Sequence, residues 1–118
     1  MILDAWPAGG STTTLEALSS GVPVLMMAEP TFAGLYTRNI LECSGLGELV
    51  TTSPDEFVAK AQAFAADLER LDALRARVRP SFERGPICDE AGFTRRVEAA
   101  FGEMFDLWRS AQTDRVVA

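Results

Sequence analysis

Residues 1–28, MILDAWPAGGSTTTLEALSSGVPVLMMA, decide how the rest of the chain is read. A short apolar run, MILDAW, meets Pro7 and two glycines, and four hydroxyl residues, Ser11 to Thr14, stand directly before a stretch with helical character. Thr13 to Ser20 reads as a short helix that Gly21 and Pro23 then stop, the glycine by tolerating a left-handed turn and the proline by breaking the ladder. VPVLMMA follows as a continuous apolar run with little alternation, the pattern of a parallel strand covered on both faces. Strand, glycine loop, helix and strand make one unit of a parallel sheet. In open α/β sheets ligands bind outside the carboxyl ends of the strands, which is where GGSTTT falls.

The alternation continues downstream. Thr31 to Cys43, with Phe32, Leu35, Tyr36, Ile40 and Leu41, predicts a second helix closed by Ser44-Gly45, and GELVTT predicts a third short strand. In SPDEFVAKAQAFAADLERLDALRARVR, Ser53 caps a helix, Pro54 takes its first position and Glu56 completes a capping box, while Asp67 caps a further helix. The loop ERGPICDEAG precedes a last helix from about Phe93 to Ala111. There Phe93, Val97, Phe101, Met104, Phe105 and Trp108 recur at three- and four-residue steps as one apolar stripe, read as core or as a surface for self-association. The class is therefore α/β: a partial Rossmann-like parallel sheet of about three strands with flanking helices. Doubly wound sheets usually have about five or six strands, so the chain reads as half of such a domain whose first strand lacks neighbours. Residues 1–111 form the domain and 112–118 a loose tail.

Composition narrows the functions. With 118 residues, 47% of them apolar, there is enough chain for one domain with a core. A net charge of −6 works against nonspecific attraction to nucleic acid or to an anionic membrane, and neither is an expected partner. The chain has no histidine, which removes the usual general base near neutral pH and the commonest metal ligand. No metal and no cofactor are expected. Cys43 and Cys88 are far apart without metal-type spacing, as reduced thiols in a cytoplasmic setting would be. Val22 to Ala28 is too short to span a bilayer, and the amino terminus lacks the basic residue and cleavage pattern of a signal peptide.

Two readings of the loop stand side by side. Glycines let the backbone approach an anion, and the unpaired N–H groups and positive dipole end of the following helix favour phosphate. Ser11, Thr12 and Thr13 add hydroxyl donors, and Glu16, one turn on, is placed for ribose hydroxyls. Equally, Thr13, Thr14, Leu15 and Glu16 satisfy the S/T-x-x-E capping box, which needs no ligand.

LDAWPAGGSTTTLEALSSGVPVL resembles the segment LDTxPxNGGTTTxEALWxGVPVV of the O-linked N-acetylglucosamine transferase and SPINDLY-type protein glycosyltransferases. GLGELVTTSPDEFVAKAQAFAADLERLDALRARVR and GPICDEAGFTRRVEAAFGEMFDLW are similar, in order, to later segments of that family, so the likeness runs to about Trp108. The resemblance implies the second half of a GT-B carboxyl-terminal, nucleotide-sugar-binding domain. It also implies transfer of a sugar to Ser or Thr of proteins, with N-acetylglucosamine from a UDP-linked donor as substrate and without a bound metal. Another nucleotide sugar such as GDP-fucose, or a non-catalytic binding or assembly module that keeps the fold, are the alternatives. By matching position, Thr12 and Thr13 hold the donor diphosphate, Gly10 and Ser11 shape the loop, and Glu16 meets the ribose; no residue is assigned a catalytic role. The expected partners are the nucleotide sugar and either an upstream GT-B domain with tetratricopeptide repeats or another chain, and this chain by itself should be inactive. Gly9 and Ser11 replace an asparagine and a glycine of the family pattern, Ser19 and Ser20 stand where bulkier residues are common, and Thr31 and Leu35 occupy two arginine places. Arg38 lies one turn beyond Leu35, either compensating for the arginine or simply solvated.

Overall fold

The computed structural model describes residues 1–117, with the side chains of Ala33 and of residues 113–117 outside the description. Two compact units are present, Met1–Cys88 and the residues from Asp89 on. The first contains β1 (Ile2–Leu3), α1 (Thr12–Ser19), β2 (Val24–Met27), α2 (Phe32–Cys43), β3 (Val50–Thr51), α3 (Pro54–Ala66) and α4 (Leu68–Glu83). The second is the single helix α5 (Glu90–Val117).

The sheet is parallel throughout and ordered β1-β2-β3. Ile2 and Leu3 stand opposite Val24 and Leu25, and Met26 and Met27 opposite Val50 and Thr51. The apolar run VPVLMMA is thus the central strand, and its Val24, Leu25 and Met26 are buried. A strand with neighbours on both edges and helices on both faces has no solvent side, which is why its residues do not alternate. Ala17 and Leu18 of α1, Leu41 of α2, Phe64 of α3, and Leu74, Val78 and Phe82 of α4 complete the core with Leu46 and Leu49. The three-stranded α/β architecture is the one expected.

Two helix starts follow the caps read from the sequence: Ser53 Oγ accepts from the Glu56 N–H at 3.2 Å, and Asp67 Oδ1 from the Arg70 N–H at 2.9 Å. Thr31, expected inside α2, is instead its cap, its Oγ1 accepting from the Gly34 N–H at 3.1 Å. Gly21 follows α1 at φ 70°, the left-handed conformation that a glycine stop requires. Three further boundaries differ from expectation. Gly47–Leu49 of GELVTT forms a 3₁₀ turn, so the strand is Val50–Thr51. Pro86–Cys88 forms another, and Asp89 Oδ1 accepts from the Gly92 N–H at 2.9 Å, so the last helix starts at Glu90 instead of Phe93. The same helix continues to Val117; the tail expected over 112–118 falls at its end, with Ala118 and the side chains from 113 outside the described residues. On α5, Phe93, Phe101, Met104, Phe105 and Trp108 are exposed, so the stripe forms no core of its own.

The capping box of α3 has a consequence for pH. The Glu56 carboxylate accepts from the Thr52 N–H at 2.8 Å, one residue before the cap, and this bond holds its carboxyl below its ordinary value of 4.5. A carboxyl depressed on folding contributes stability above the unfolded pKa, and that contribution is lost as pH falls through the lower folded value. Glu56→Gln is expected to flatten the fall in thermal midpoint below pH 4.5, read by circular dichroism melts across that range. An unchanged pH profile would show that Glu56 does not carry it.

Candidate functional site

The parallel sheet puts the carboxyl ends of β1 and β2 on one side, and Asp4 to Ser11 leaves β1 there. The loop is pinned by groups from two elements. Asp4 Oδ1 accepts from the Ala5 N–H at 3.0 Å and from the Gly10 N–H at 3.1 Å, with Oδ2 at 3.2 Å from the same amide. From α2, the buried Thr37 hydroxyl donates to the Gly10 carbonyl. Trp6 Nε1 donates to Glu29 Oε1 at 2.6 Å, tying the other limb of the loop to the end of β2. The Trp6–Pro7 peptide is cis.

These contacts explain the paired glycines. A Cβ on Gly9 would lie 2.6 Å from Thr37 Oγ1 and 2.8 Å from Asp4 Oδ2. On Gly10 it would lie 2.5 Å from Thr13 Oγ1 and 2.8 Å from Thr14 Oγ1. Backbone and side chains approach here more closely than any residue with a Cβ allows.

At the start of α1 the structure departs from the capping-box reading. The N-cap is Ser11, without a side-chain cap, and the Leu15 N–H donates to the Ser11 carbonyl at 3.1 Å as the first helical bond. Thr13 and Glu16 therefore lie inside the helix and cannot act as cap and reciprocal partner. The helix begins at Thr12, one residue before the expected Thr13, and Thr14, the second box residue, is buried. Among the described residues, the N–H groups of Ser11, Thr12, Thr13 and Thr14 and the hydroxyls of Ser11, Thr12 and Thr13 make no hydrogen bond, and neither does the Glu16 carboxylate.

The five residues singled out from the sequence are thus brought together. Gly10 is half-buried at the base, Ser11, Thr12 and Thr13 are exposed at the helix start, and Glu16 is exposed one turn along. Spacing of three and four residues puts Glu16 on the same helix face as Thr13 and Thr12. The helix dipole and four open N–H groups make this a concentration of positive partial charge suited to an anion. Asp4 and Thr37 were missed by sequence reasoning. Asp4 was counted within an apolar strand, and its one local signal is a carboxylate six residues before the amide it binds; Thr37 has none, lying 27 positions from Gly10.

The two arginine places are also accounted for. Thr31 caps α2, and Leu35 is exposed beside Ala28, Glu29, Pro30, Arg38 and Thr52 in an open depression of about 460 Å³. Arg38 is paired with Glu42 at 2.8 Å on the exposed face of the helix. A second depression of about 450 Å³ is lined mainly by apolar side chains, among them Leu3, Ala61, Phe64 and Leu71. Among the described residues, no group of three or more His, Cys, Asp or Glu is placed to hold a metal ion, and no helix is long and apolar enough to cross a membrane.

Fold and loop together define a parallel α/β half-domain, and comparison with known proteins makes that specific. The profile of glycosyl transferase family 41 matches residues 1–97, and the chain belongs to this family. It is 40% identical over 91% of its length to a probable UDP-N-acetylglucosamine–peptide N-acetylglucosaminyltransferase SPINDLY of Oryza sativa subsp. japonica. It is 27% identical over 95% of its length to the probable SEC transferase of Arabidopsis thaliana. It spans 11% and 12% of those two proteins respectively. Among solved structures, an O-GlcNAc transferase mutant from Thermobaculum terrenum superposes with a TM-score of 0.76 at 36% identity, over 86% of this chain and 20% of that one. The expected correspondence to the carboxyl-terminal GT-B region of the O-linked N-acetylglucosamine transferase and SPINDLY-type family is borne out.

Proposed function

We propose that this chain carries the diphosphate- and ribose-holding part of the donor site of a protein O-glycosyltransferase, with UDP-N-acetylglucosamine as donor and Ser or Thr of proteins as acceptor. The single observation that carries the reading is the start of α1, where four consecutive N–H groups and three hydroxyls have no internal partner in a member of family 41. The names of the relatives, which specify UDP-N-acetylglucosamine and a peptide, support the choice of donor and acceptor.

In this reading Gly10 and Ser11 shape the approach, the Thr12 and Thr13 hydroxyls and the amides from Ser11 to Thr14 donate to the diphosphate oxygens, and Glu16 accepts from ribose hydroxyls. The chemical contribution is electrostatic. As the bond from sugar to diphosphate breaks, negative charge grows on the leaving diphosphate, and donors already fixed in place stabilise it without reorganising. The acidic residues Asp55, Glu56, Glu69 and Asp72 are exposed on helices and have no part in this site. Base recognition and the acceptor site belong to other parts of the enzyme, so the chain alone binds donor product without turnover.

The test is a titration of the ¹⁵N-labelled chain with uridine diphosphate, followed by amide chemical shifts. Saturable shifts concentrated on Gly10 to Thr14 are the expected outcome. Their absence at millimolar nucleotide would reject the site.

A further inference from the structure

We propose that Asp4 and Thr37 are positioning residues that hold the backbone of Gly10 at both its N–H and its carbonyl and thereby keep the anion-facing amides of α1 open. The inference rests on the donor-site reading above. Its geometry is independent of it: Asp4, at the end of β1, takes the Gly10 N–H at 3.1 and 3.2 Å, while Thr37, from α2, takes the Gly10 carbonyl.

The capture of that carbonyl matters most. In an uninterrupted helix the Gly10 carbonyl would accept from the N–H four residues on, which is Thr14. Because Thr37 occupies it, the helix starts one bond later, with Leu15 donating to Ser11, and the Thr14 N–H joins the open array. Asp4 fixes the N–H of the same residue, in the preceding peptide, and also accepts from the N–H of Ala5, its own neighbour. The Gly9 and Gly10 positions are filled by the side chains of Asp4, Thr37, Thr13 and Thr14, so the glycines are the counterpart of the clamp on the loop side. A negative carboxylate beside an anion site would by Coulomb's law weaken binding. Its presence is explained by the amides it holds, and the sign of its removal separates the two roles.

The experiment uses the whole chain and UDP as probe, with Thr37→Val, Thr37→Ser and Asp4→Ala as variants. Amide exchange of Thr14 without ligand is measured beside UDP affinity and thermal midpoint. Thr37→Val frees the Gly10 carbonyl, so Thr14 gains exchange protection and UDP affinity falls about tenfold, the effect of about one hydrogen bond to a charged group. Thr37→Ser restores both. Asp4→Ala also weakens UDP about tenfold, where loss of a merely nearby charge would tighten it. Equal affinity in the unsubstituted chain and Thr37→Val, or failure of Thr37→Ser to restore it, overturns the clamp and leaves the donor site standing. If Thr37→Val does not fold, Asp4→Ala decides, and unchanged or tighter binding overturns the proposal. No saturable shift in the unsubstituted chain overturns the donor-site reading and the clamp with it.

Discussion

Thr12→Ala/Thr13→Ala lowers the affinity for UDP by about a hundredfold or more while leaving the unfolding midpoint nearly where it was. Each hydroxyl is a donor to a charged oxygen in the proposed site, and bonds of that kind are worth about 1.5–3 kcal/mol apiece, so the loss of two gives about that factor. Neither hydroxyl has an internal partner among the described residues, and both side chains are exposed. Their removal therefore leaves no orphaned group, and alanine is the better helix former by a few tenths of a kcal/mol. A structural cap would behave in the opposite way, losing about 1 kcal/mol of stability with no effect on a ligand. Parallel melts and nucleotide titrations of the double variant distinguish the two; equal UDP binding by variant and parent would remove the threonines from the site.

The largest effect on stability is expected at the centre of the sheet. Leu25 is 0% exposed, faces Leu3 across the β1–β2 pair and is surrounded by the core that α1, α2, α3 and α4 contribute. Leu25→Ala removes its transfer free energy and leaves a cavity, at a cost of about 2–5 kcal/mol. Against a total of about 5–15 kcal/mol, that takes a large share of the folding free energy. Its sheet neighbour Leu3 is 55% exposed, and Leu3→Ala is expected to cost about 1 kcal/mol or less. Urea unfolding of the two variants measures the contrast. Similar midpoints for both would show that β2 is not packed on its two faces.

The parts of the fold that were legible in the sequence are those governed by near neighbours. Ser53 and Asp67 cap helices because each side chain reaches an amide three residues on, and the spacing alone reveals this. The unalternating run at Val24 to Met26 announced a strand covered on both faces for the same reason, since such burial leaves a mark on every residue. The box at Thr13 to Glu16 met the same local criterion and failed. The helix starts at Thr12, so Thr13 lies inside its first turn, and the loop before it is held by a contact between Gly10 and Thr37, 27 positions apart, that no local rule contains. The boundary of α5 was misjudged by three residues because Asp89, read as loop, supplies the cap.

The sequence by itself determined the order of strands and helices, the burial of VPVLMMA on both faces and the residues from Gly10 to Glu16 that make up the candidate site. Periodicity, capping and composition act over a few residues, so they are written along the chain. Only the tertiary structure decided that the capping box following GGS does not form. Asp4, just after β1, and Thr37, from α2, occupy the N–H and the carbonyl of Gly10, and the first turn of α1 has no side-chain cap.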